Sequence, residues 1–377
     1  MKKLFTFIIL IIVSASVFAQ TEVSGTQSGT WTLDNSPYHV VGQITVSSGN
    51  ILTIEAGVEV NFQGHYKLKI QGNLQAIGTE SENILFTTDN QAIGWGGIRL
   101  DGANGISNLA YCRIEYGKTS GSYPDIHGGG LALLTSNAVI SNCVFADNDA
   151  TGSDNGMGGA VYAINTSNST SFIDCKFIGN HAYGEGGAIK FSSDNNSEIV
   201  GCEFIGNNCL YGGGAISFYS VYNTKMINCL FAENYTVYSS GGALHTLGMG
   251  NSIILQNCTI SGNSAQHGDG GAISLAYASA DIVNSIVYDN PGMYSDGIYI
   301  DFSSTAEINY SNLTMPDEAT GYNNINQNPL FVDANNLDFH LTEASPCIDA
   351  GTDIGLEYFG ESPDMGCFEW FIIDVRR

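Results

Sequence analysis

The chain has 377 residues with 12 basic and 37 acidic side chains, and its formal net charge of −25 repels nucleic acids and anionic membrane surfaces. Charged residues make up only 13% of the sequence, so the surface must consist mainly of Asn, Ser, Thr, Gly and Tyr. Such a surface suits neutral sugars or weak protein contacts, whereas an acidic polysaccharide would need a cation to bridge it to the protein.

The first 19 residues have the three parts of a secretory signal peptide. Lys2 and Lys3 are followed by an apolar stretch from Leu4 to Val13 and by a small-residue ending at Ala19. We expect cleavage after Ala19 and a secreted protein that is extracellular or lies on the outer surface. No later apolar run approaches the roughly 20 residues that cross a bilayer, so we predict no transmembrane span in the mature chain.

We predict that residues 20–327 form one all-β domain. Its first coils are the alternating apolar strands that begin at Gly49 and Leu68. From Cys143 onward one repeat dominates: a Cys in a short apolar strand, an Asn five residues later, a loop, a Gly-Gly pair and a second apolar strand, and the segment around Cys112 is a degenerate first copy. With a third, weaker strand in each coil and successive cysteines 27 to 32 residues apart, this pattern is typical of a right-handed parallel β-helix.

Stacking of the coils would align like residues in columns about 4.8 Å apart, the spacing of neighbouring strands. The asparagines of the repeat would then hydrogen-bond to one another along the axis, which is a structural role. These asparagines are Asn148, Asn180, Asn207, Asn234, Asn263 and Asn290. The Gly-Gly pairs are predicted to allow a positive φ where each loop re-enters a strand.

The cysteines of the repeat would form a second, inward column. Side chains in register on parallel strands do not converge enough for a disulfide, so we predict free, buried thiols that act as small apolar fillers. Ser285 occupies the same slot in a later repeat, which favours a requirement for size over bonding. The column consists of Cys112, Cys143, Cys175, Cys202, Cys229 and Cys258.

The repeat fades after Tyr310, and we predict that residues 328–377 form a segment that caps the open end of the stack. This segment contains Cys347 and Cys367, which lie outside the cysteine column. The sequence leaves open whether these two residues form a disulfide.

With these repeats the chain resembles the right-handed β-helix proteins of the pectin-lyase-like superfamily. The pairing of GGA(I/V/L) with FxxN, from about Gly128 to Asn290, is similar to the repeats of polymorphic outer membrane proteins, which are surface adhesins. The closing SPCIDAG and DMGCFEW are similar to the end segment of exported β-helix proteins called the choice-of-anchor domain.

For an enzyme, the resemblance implies a site on the outer face of one parallel sheet. The outward positions after the Gly-Gly pairs include Lys190 and His245, which are candidate bases for a polysaccharide lyase. They lie two coils apart, about 10 Å by strand spacing, which is too far for direct cooperation. The outward positions are Arg99, Ala132, Tyr162, Lys190, Ser217, His245, Ser274 and Tyr299.

Asp269 and Asp296 lie in loops that precede Gly corners on neighbouring coils. They are candidates for the paired carboxylates of a glycoside hydrolase. The same pair is a candidate for holding Ca²⁺ together with loop carbonyls. Acidic residues are frequent in this chain, so such a pair also arises by chance. We predict no other metal or cofactor.

The same loops carry aromatic residues that are candidates for ligand binding. Exposed rings spaced along one edge can stack on sugar faces, or they can pack on one another and stiffen the loops. The tyrosines are Tyr183, Tyr211, Tyr235, Tyr238 and Tyr294, and they are accompanied by His181 and His267.

Common catalytic signatures such as HExxH, GxSxG, CxxC and GxGxxG are absent from the sequence. We therefore predict a secreted or cell-surface scaffold that binds extracellular glycans or surface proteins through its loop edge, without catalysis. The alternative is a polysaccharide lyase or glycoside hydrolase that acts on an extracellular polysaccharide.

Overall fold

The computed structural model describes residues 20–103, 105–152, 154–166 and 170–370. These residues form a parallel β-solenoid of about ten turns, which confirms the predicted all-β fold class. The helical elements in the described ranges are the short 3₁₀ segments Leu33–Asn35 and Ala334–Asn336, and neither these nor any other described segment is an apolar helix long enough to span a membrane. The predicted signal peptide, residues 1–19, lies outside the described residues.

Each full coil contributes one strand to each of three parallel sheets. The strands that follow the Gly-Gly pairs, together with their equivalents in the early coils, form the glycine sheet. It begins with the end of Thr21–Thr26, which pairs with the long strand Tyr38–Val46, and that strand pairs onward with Leu68–Ile70. The later strands are Ile98–Asp101, Leu131–Leu134, Val161–Ile164, Ile189–Ser192, Ile216–Tyr219, Leu244–Leu247, Ile273–Leu275 and Ile298–Ile300.

The strands next to the cysteine column form the cysteine sheet. Its first strand is Thr21–Thr26, and Tyr38–Val46 is long enough to pair in both sheets and join them. The later strands are Glu59–Phe62, Ile84–Thr87, Cys112–Glu115, Val144–Ala146, Lys176–Ile178, Glu203–Ile205, Leu230–Ala232, Thr259–Ser261 and Ile286–Tyr288.

The third strand of each coil lies between these two in sequence, and together these strands form the middle sheet. They are Gly29–Trp31, Ile51–Ile54, Asn73–Ile77, Ser107–Ala110, Ala138–Ser141, Ser171–Ile173, Glu198–Val200, Thr224–Ile227, Asn251–Gln256, Ala278–Val283 and Thr305–Asn309. A small sheet follows the asparagine column, with strands Asp149–Ala150, His181–Ala182, Asn208–Cys209, Tyr235–Thr236 and Ser264–Ala265.

Phenylalanines stacked along the cysteine sheet occupy the core. Phe145, Phe177, Phe204 and Phe231 are fully buried, and their ring centroids are 5.0, 4.7 and 4.8 Å apart. Each such aromatic pair contributes roughly 0.5–1.5 kcal/mol beyond the burial of its area. Because this ring spacing matches the spacing of the strands, equivalent residues of successive coils pack directly on one another.

The two glycines of a Gly-Gly pair are needed for different reasons. At Gly186 φ is +68°, and a Cβ would lie 2.3 Å from the carbonyl oxygen of Ile189. At Gly187 a Cβ would lie 2.1 Å from the carbonyl oxygen of Gly214 in the next coil. The first glycine therefore makes the turn, as its positive φ requires, and the second lets neighbouring coils approach closely.

The cysteine column consists of thiols that donate hydrogen bonds. Cys175 Sγ lies 3.3 Å from the carbonyl oxygen of Ile173 and 3.6 Å from that of Ile140 in the preceding coil. In the same slot, Ser285 Oγ donates to the carbonyl oxygen of Val283 at 2.9 Å. The slot therefore holds a small side chain that also donates a hydrogen bond. The prediction of an apolar filler accounts for its size but not for this hydrogen bond.

The asparagine column connects consecutive coils. Asn180 Nδ2 donates to Asn207 Oδ1 at 2.9 Å and to the carbonyl oxygen of Phe145 at 3.0 Å. The same side-chain arrangement recurs at Asn148, Asn207, Asn234 and Asn263. All of these side chains are fully buried.

After the last full coil, the segment that contains Thr320 and Ile325 forms a half turn, which extends two of the three sheets at the C-terminal end. Thr320 bridges to Glu307 of the middle sheet, and Ile325 bridges to Asn312, which itself bridges to Ile286 of the cysteine sheet. These contacts place the half turn against the final full coil.

The segment from residue 328, expected over the open end of the stack, lies beside the last coils. Phe339 clusters with Leu230 and Ala232 on the outward face of the cysteine sheet, and the backbone N–H of Cys367 donates to Thr259 Oγ1 at 3.1 Å. Its two strands, Phe331–Asp333 and Asp338–Leu341, pair antiparallel. Cys347 and Cys367 are both free thiols.

Candidate functional site

From Arg99 to Ser274 the outward column of the glycine sheet is buried, although it faces away from the core. Arg99, Lys190 and His245 are only 2%, 3% and 8% exposed. The loops that precede the Gly-Gly pairs cover them, and a Cβ at Gly212 would come within 2.6 Å of His245 Nδ1. A polymeric substrate therefore has no open face on which to reach these side chains.

Lys190 is held in an ion pair with Glu185, the residue before the Gly-Gly pair of its own coil. Its Nζ also donates to Ser217 Oγ at 3.0 Å, and Ser217 Oγ donates to the Glu185 carboxylate at 2.8 Å. Burial lowers the pKa of Lys190, and Glu185 opposes that shift. Burial raises the pKa of Glu185, but Lys190 and Ser217 outweigh it and hold this pKa below its ordinary value. The three groups satisfy one another inside the protein.

His245 follows Ser217 on the next strand of the glycine sheet. Its Nδ1 is buried and has no hydrogen-bond partner among the described residues. Burial lowers the pKa of His245 to about 4, with Glu185 opposing and Lys190 reinforcing the shift. The ring is therefore neutral at neutral pH. Lys190 and His245 belong to one electrostatic cluster, with Ser217 between them.

A second ionic cluster, which was not predicted from the sequence, lies at the same sheet. Lys67 Nζ lies 2.5 Å from Asp125 Oδ2, and Arg99 Nε lies 3.9 Å from Asp125 Oδ1. Arg99 also donates to the carbonyl oxygen of Gly128. Burial lowers the pKa of Arg99 to about 10, and Asp125 opposes this shift. In the sequence, this cluster is indicated only by the long loop before Gly128. Asp125 lies in that loop, outside the repeat, so the spacing of the repeat does not predict its position.

Asp269 and Asp296 line one groove of about 710 Å³ at the C-terminal end of the solenoid, and Tyr294 lines it with them. Asp269 Oδ1 accepts a hydrogen bond from Ser295 Oγ at 3.3 Å, and Asp296 Oδ1 accepts one from the backbone N–H of Gly292 at 3.0 Å. Both carboxylates therefore help to hold the loop that contains Gly292 and Ser295 in place.

The same groove was the candidate site for Ca²⁺. No group of three or more His, Cys, Asp or Glu side chains in the described ranges is arranged to hold a metal ion. Calcium binding through Asp269 and Asp296 stays a prediction.

Four aromatic side chains on successive loops form a row that we call the aromatic ladder: Tyr183, Tyr211, Tyr238 and His267. Their ring centroids are 6.1, 6.0 and 6.0 Å apart in that order. Tyr211 is 43% and Tyr238 59% exposed. The rings therefore contact one another along the axis while they present their outer sides to solvent.

Backbone hydrogen bonds between the loops fix the spacing of the ladder. The N–H of Tyr211 donates to the carbonyl oxygen of Gly184 at 3.0 Å, and the N–H of Tyr238 donates to that of Leu210 at 2.8 Å. Each ring is thus carried by a loop that is tied to the loop of the preceding coil.

The remaining aromatic candidates lie elsewhere. Tyr235 and His181 belong to strands of the small sheet, where His181 pairs with Asp149. Tyr294 is 72% exposed and lines the groove at the C-terminal end. The structure therefore brings three of the predicted tyrosines together and places the other two on different surfaces.

Comparison with known proteins gives one family and several distant structures. The family described as right handed beta helix region matches residues 158–337. No curated protein matches the chain. Pectate lyase Pel9A is 12% identical with a TM-score of 0.40, and the match covers 86% of this chain and 88% of that one.

Two further solved structures are similar at the same distant level. The catalytic domain of Agl-KA is 14% identical with a TM-score of 0.34, and the match covers 73% of this chain and 62% of that one. ORF18 of Geobacillus virus E2 is 14% identical with a TM-score of 0.37, and the match covers 74% of this chain and 54% of that one. Likeness at this level concerns the fold and not the activity.

Proposed function

We propose that this right-handed parallel β-helix protein is a secreted or surface-held scaffold. It binds neutral glycans through the aromatic ladder, without catalysis. The observation that supports this most directly is the row of Tyr183, Tyr211, Tyr238 and His267, with ring centroids 6.0 to 6.1 Å apart on exposed loops.

The ladder suits an extended polymer because its rings repeat along the solenoid axis. Aromatic rings supply a large, rigid contact area, and the phenol hydroxyls add hydrogen bonds to sugar hydroxyls. The loops are tied to one another by backbone hydrogen bonds, so little conformational freedom is lost on binding. Several weak contacts with one chain combine into a useful affinity.

The charge of the protein favours a neutral ligand, because a net charge of −25 repels polyuronates. The arrangement of the candidate bases argues against catalysis. Lys190 is paired with Glu185, and His245 is 8% exposed, so neither is placed to contact the reacting atoms of a polymer.

The test is a binding assay with a panel of neutral β-glucan, xylan and mannan alongside pectate and alginate. We expect the double variant Tyr211→Ala/Tyr238→Ala to weaken binding of the preferred neutral glycan about tenfold, since two ring contacts are removed. The variant Tyr211→Phe/Tyr238→Phe should retain most of the affinity. Tyr222 is 48% exposed outside the ladder, so Tyr222→Ala is the matched control.

Equal binding by the wild-type protein and the double alanine variant would remove the ladder from the proposal. Absence of binding to every glycan in the panel would remove glycan binding altogether. Incubation of the same panel with and without Ca²⁺ tests the enzymatic alternative. Release of oligosaccharides that is abolished by Asp269→Ala would assign hydrolase or lyase activity.

A further inference from the structure

At the C-terminal end of the solenoid, one of the three sheets has no further strand paired to its last described strand. The middle sheet continues to Thr320, and the cysteine sheet continues through Asn312 to Ile325. The last strand of the glycine sheet, Ile298–Ile300, pairs with Ile273–Leu275 on one side and with no described strand on the other. It is therefore an edge strand with backbone groups available to a further strand.

The groove of about 710 Å³ lies against this edge. Its lining includes Ile298 and Ile300, which are 5% and 4% exposed, whereas Ile273 and Leu275 one coil earlier are fully buried. The end of the core is therefore already covered, and Met315, which packs against the core and is half-buried, is an apolar side chain of the lining that a ligand can reach.

The rim of the groove is acidic. The residues that line it include five acidic side chains and no Lys, Arg or His. They are Asp269, Asp289, Asp296, Asp317 and Glu318. A concave site lined by one sign of charge attracts ligands of the opposite sign.

We propose that this end groove docks an extended, basic segment of a partner protein by strand addition to Ile298–Ile300. Backbone hydrogen bonds to the edge strand hold the segment. Alternate apolar side chains contact the apolar lining at Met315, and the intervening Lys or Arg side chains meet the acidic rim. The site is distinct from the aromatic ladder and does not depend on glycan binding.

The chemistry of the groove selects against other occupants. A second copy of this chain would bring an equally acidic rim to the interface, which is repulsive. A neutral glycan gains no net electrostatic attraction from five carboxylates. No group of three or more His, Cys, Asp or Glu side chains in the described part of the chain is arranged to hold a metal ion.

The test uses the full mature protein and a fluorescein-labelled octapeptide of alternating Ile and Lys, followed by fluorescence anisotropy. We expect this peptide to bind about tenfold more tightly than the same peptide with Glu in place of Lys. A proline at its centre should weaken binding by a similar factor, because proline cannot donate to the ladder of a sheet. Added salt should weaken binding.

The matched variants change the same number of charges at two places. Asp296→Asn/Asp317→Asn should weaken peptide binding about fivefold or more, while Glu198→Gln/Glu233→Gln, on exposed residues away from the groove, should not. Thermal melting of both variants verifies that they fold. Tyr211→Ala/Tyr238→Ala should leave peptide binding unchanged.

Three results would overturn the proposal. The first is equal affinity for the Lys, Glu and proline-containing peptides, or no binding of any. The second is an equal effect of the two charge variants. The third is a dimer, detected by light scattering, that Asp296→Asn/Asp317→Asn strengthens, since the groove would then be an interface between copies of the chain.

Discussion

Asn207 donates its side-chain N–H to Oδ1 of Asn234, one coil further along, at 2.9 Å, and both side chains are fully buried. The backbone N–H of Asn207 donates to the same oxygen at 3.0 Å. Its Nδ2 also donates to the carbonyl oxygen of Phe177, one coil earlier, at 2.8 Å. One side chain therefore connects three consecutive coils at the corner where the cysteine sheet ends.

Replacing Asn207 with alanine should destabilise the solenoid strongly. The variant removes the hydrogen-bond partner of the backbone N–H of Asn180 and of one of its two side-chain N–H groups, and it removes the side-chain donor to the carbonyl of Phe177. Each buried unsatisfied group costs about 1–3 kcal/mol, so we expect the free energy of unfolding to fall by about 3 kcal/mol or more. Chemical denaturation followed by circular dichroism measures this. Asn336→Ala, at an exposed position, should change it by no more than about 0.5 kcal/mol. Equal effects of both substitutions would show that the column contributes nothing.

Position 202 distinguishes a donor from an apolar filler. Cys202 Sγ lies 3.5 Å from the carbonyl oxygen of Val200 and accepts a hydrogen bond from the N–H of Cys175 at 3.4 Å. We expect Cys202→Ser to be about 1 kcal/mol more stable than Cys202→Ala, because serine keeps both hydrogen bonds. If the slot required only apolar volume, the order would be reversed. A reducing agent should not change the melting temperature of the wild-type protein, since its cysteines are free.

The columns of the solenoid were predictable because the spacing of the repeat maps directly onto the stack. Alternation in a single strand fixed which side faces inward, as the stacked rings of Phe177 and Phe204 show. The environment of Lys190 was not predictable in this way. Its position is outward, but the loop that carries Glu185 covers it, and the path of a loop is not encoded in a strand period.

The aromatic candidates show the same limit at shorter range. Tyr235 and Tyr238 are three residues apart, yet Tyr235 belongs to a strand of the small sheet while Tyr238 stacks on His267 in the aromatic ladder. Proximity in sequence predicted one cluster. The turn between these residues, which depends on how consecutive loops hydrogen-bond, separates them.

The ion pair of Glu185 and Lys190 should behave as a unit. Lys190 is 3% exposed, so Glu185→Gln alone leaves a buried ammonium without its carboxylate, beside the Ser217 hydroxyl at 3.0 Å and the Tyr219 ring, whose centroid is 5.7 Å away. Breaking a buried pair in this way costs about 3–5 kcal/mol, and we expect a loss of stability of that order. Glu185→Gln/Lys190→Met should recover much of the loss. A double-mutant cycle on the free energy of unfolding measures the coupling, and additive effects of the two substitutions would contradict it.

Acid should destabilise the protein through His245. Burial lowers the pKa of this ring to about 4 from the ordinary value of 6.5, so the unfolded chain binds a proton at a higher pH than the folded chain does. The stability that the neutral ring contributes is therefore present above pH 6.5 and is lost as the pH falls towards 4. A shift of this size corresponds to about 3 kcal/mol in the free energy of unfolding.

Other groups titrate in the same range, so the contribution of His245 must be isolated by difference. The pKa of His127 is also lowered to about 4, chiefly by burial, and adds to the loss in acid. Burial, with Asp364, raises the pKa of Glu369 to about 7, which acts in the opposite direction.

Thermal melting of the wild-type protein and of His245→Gln at pH 7, 6 and 5 isolates the contribution of His245, because the variant lacks this ring and keeps His127 and Glu369. We expect the variant to lose less stability between pH 7 and pH 5 than the wild-type protein does. The exposed His267→Gln serves as the control, and parallel curves for wild type and His245→Gln would show that His245 does not carry the effect.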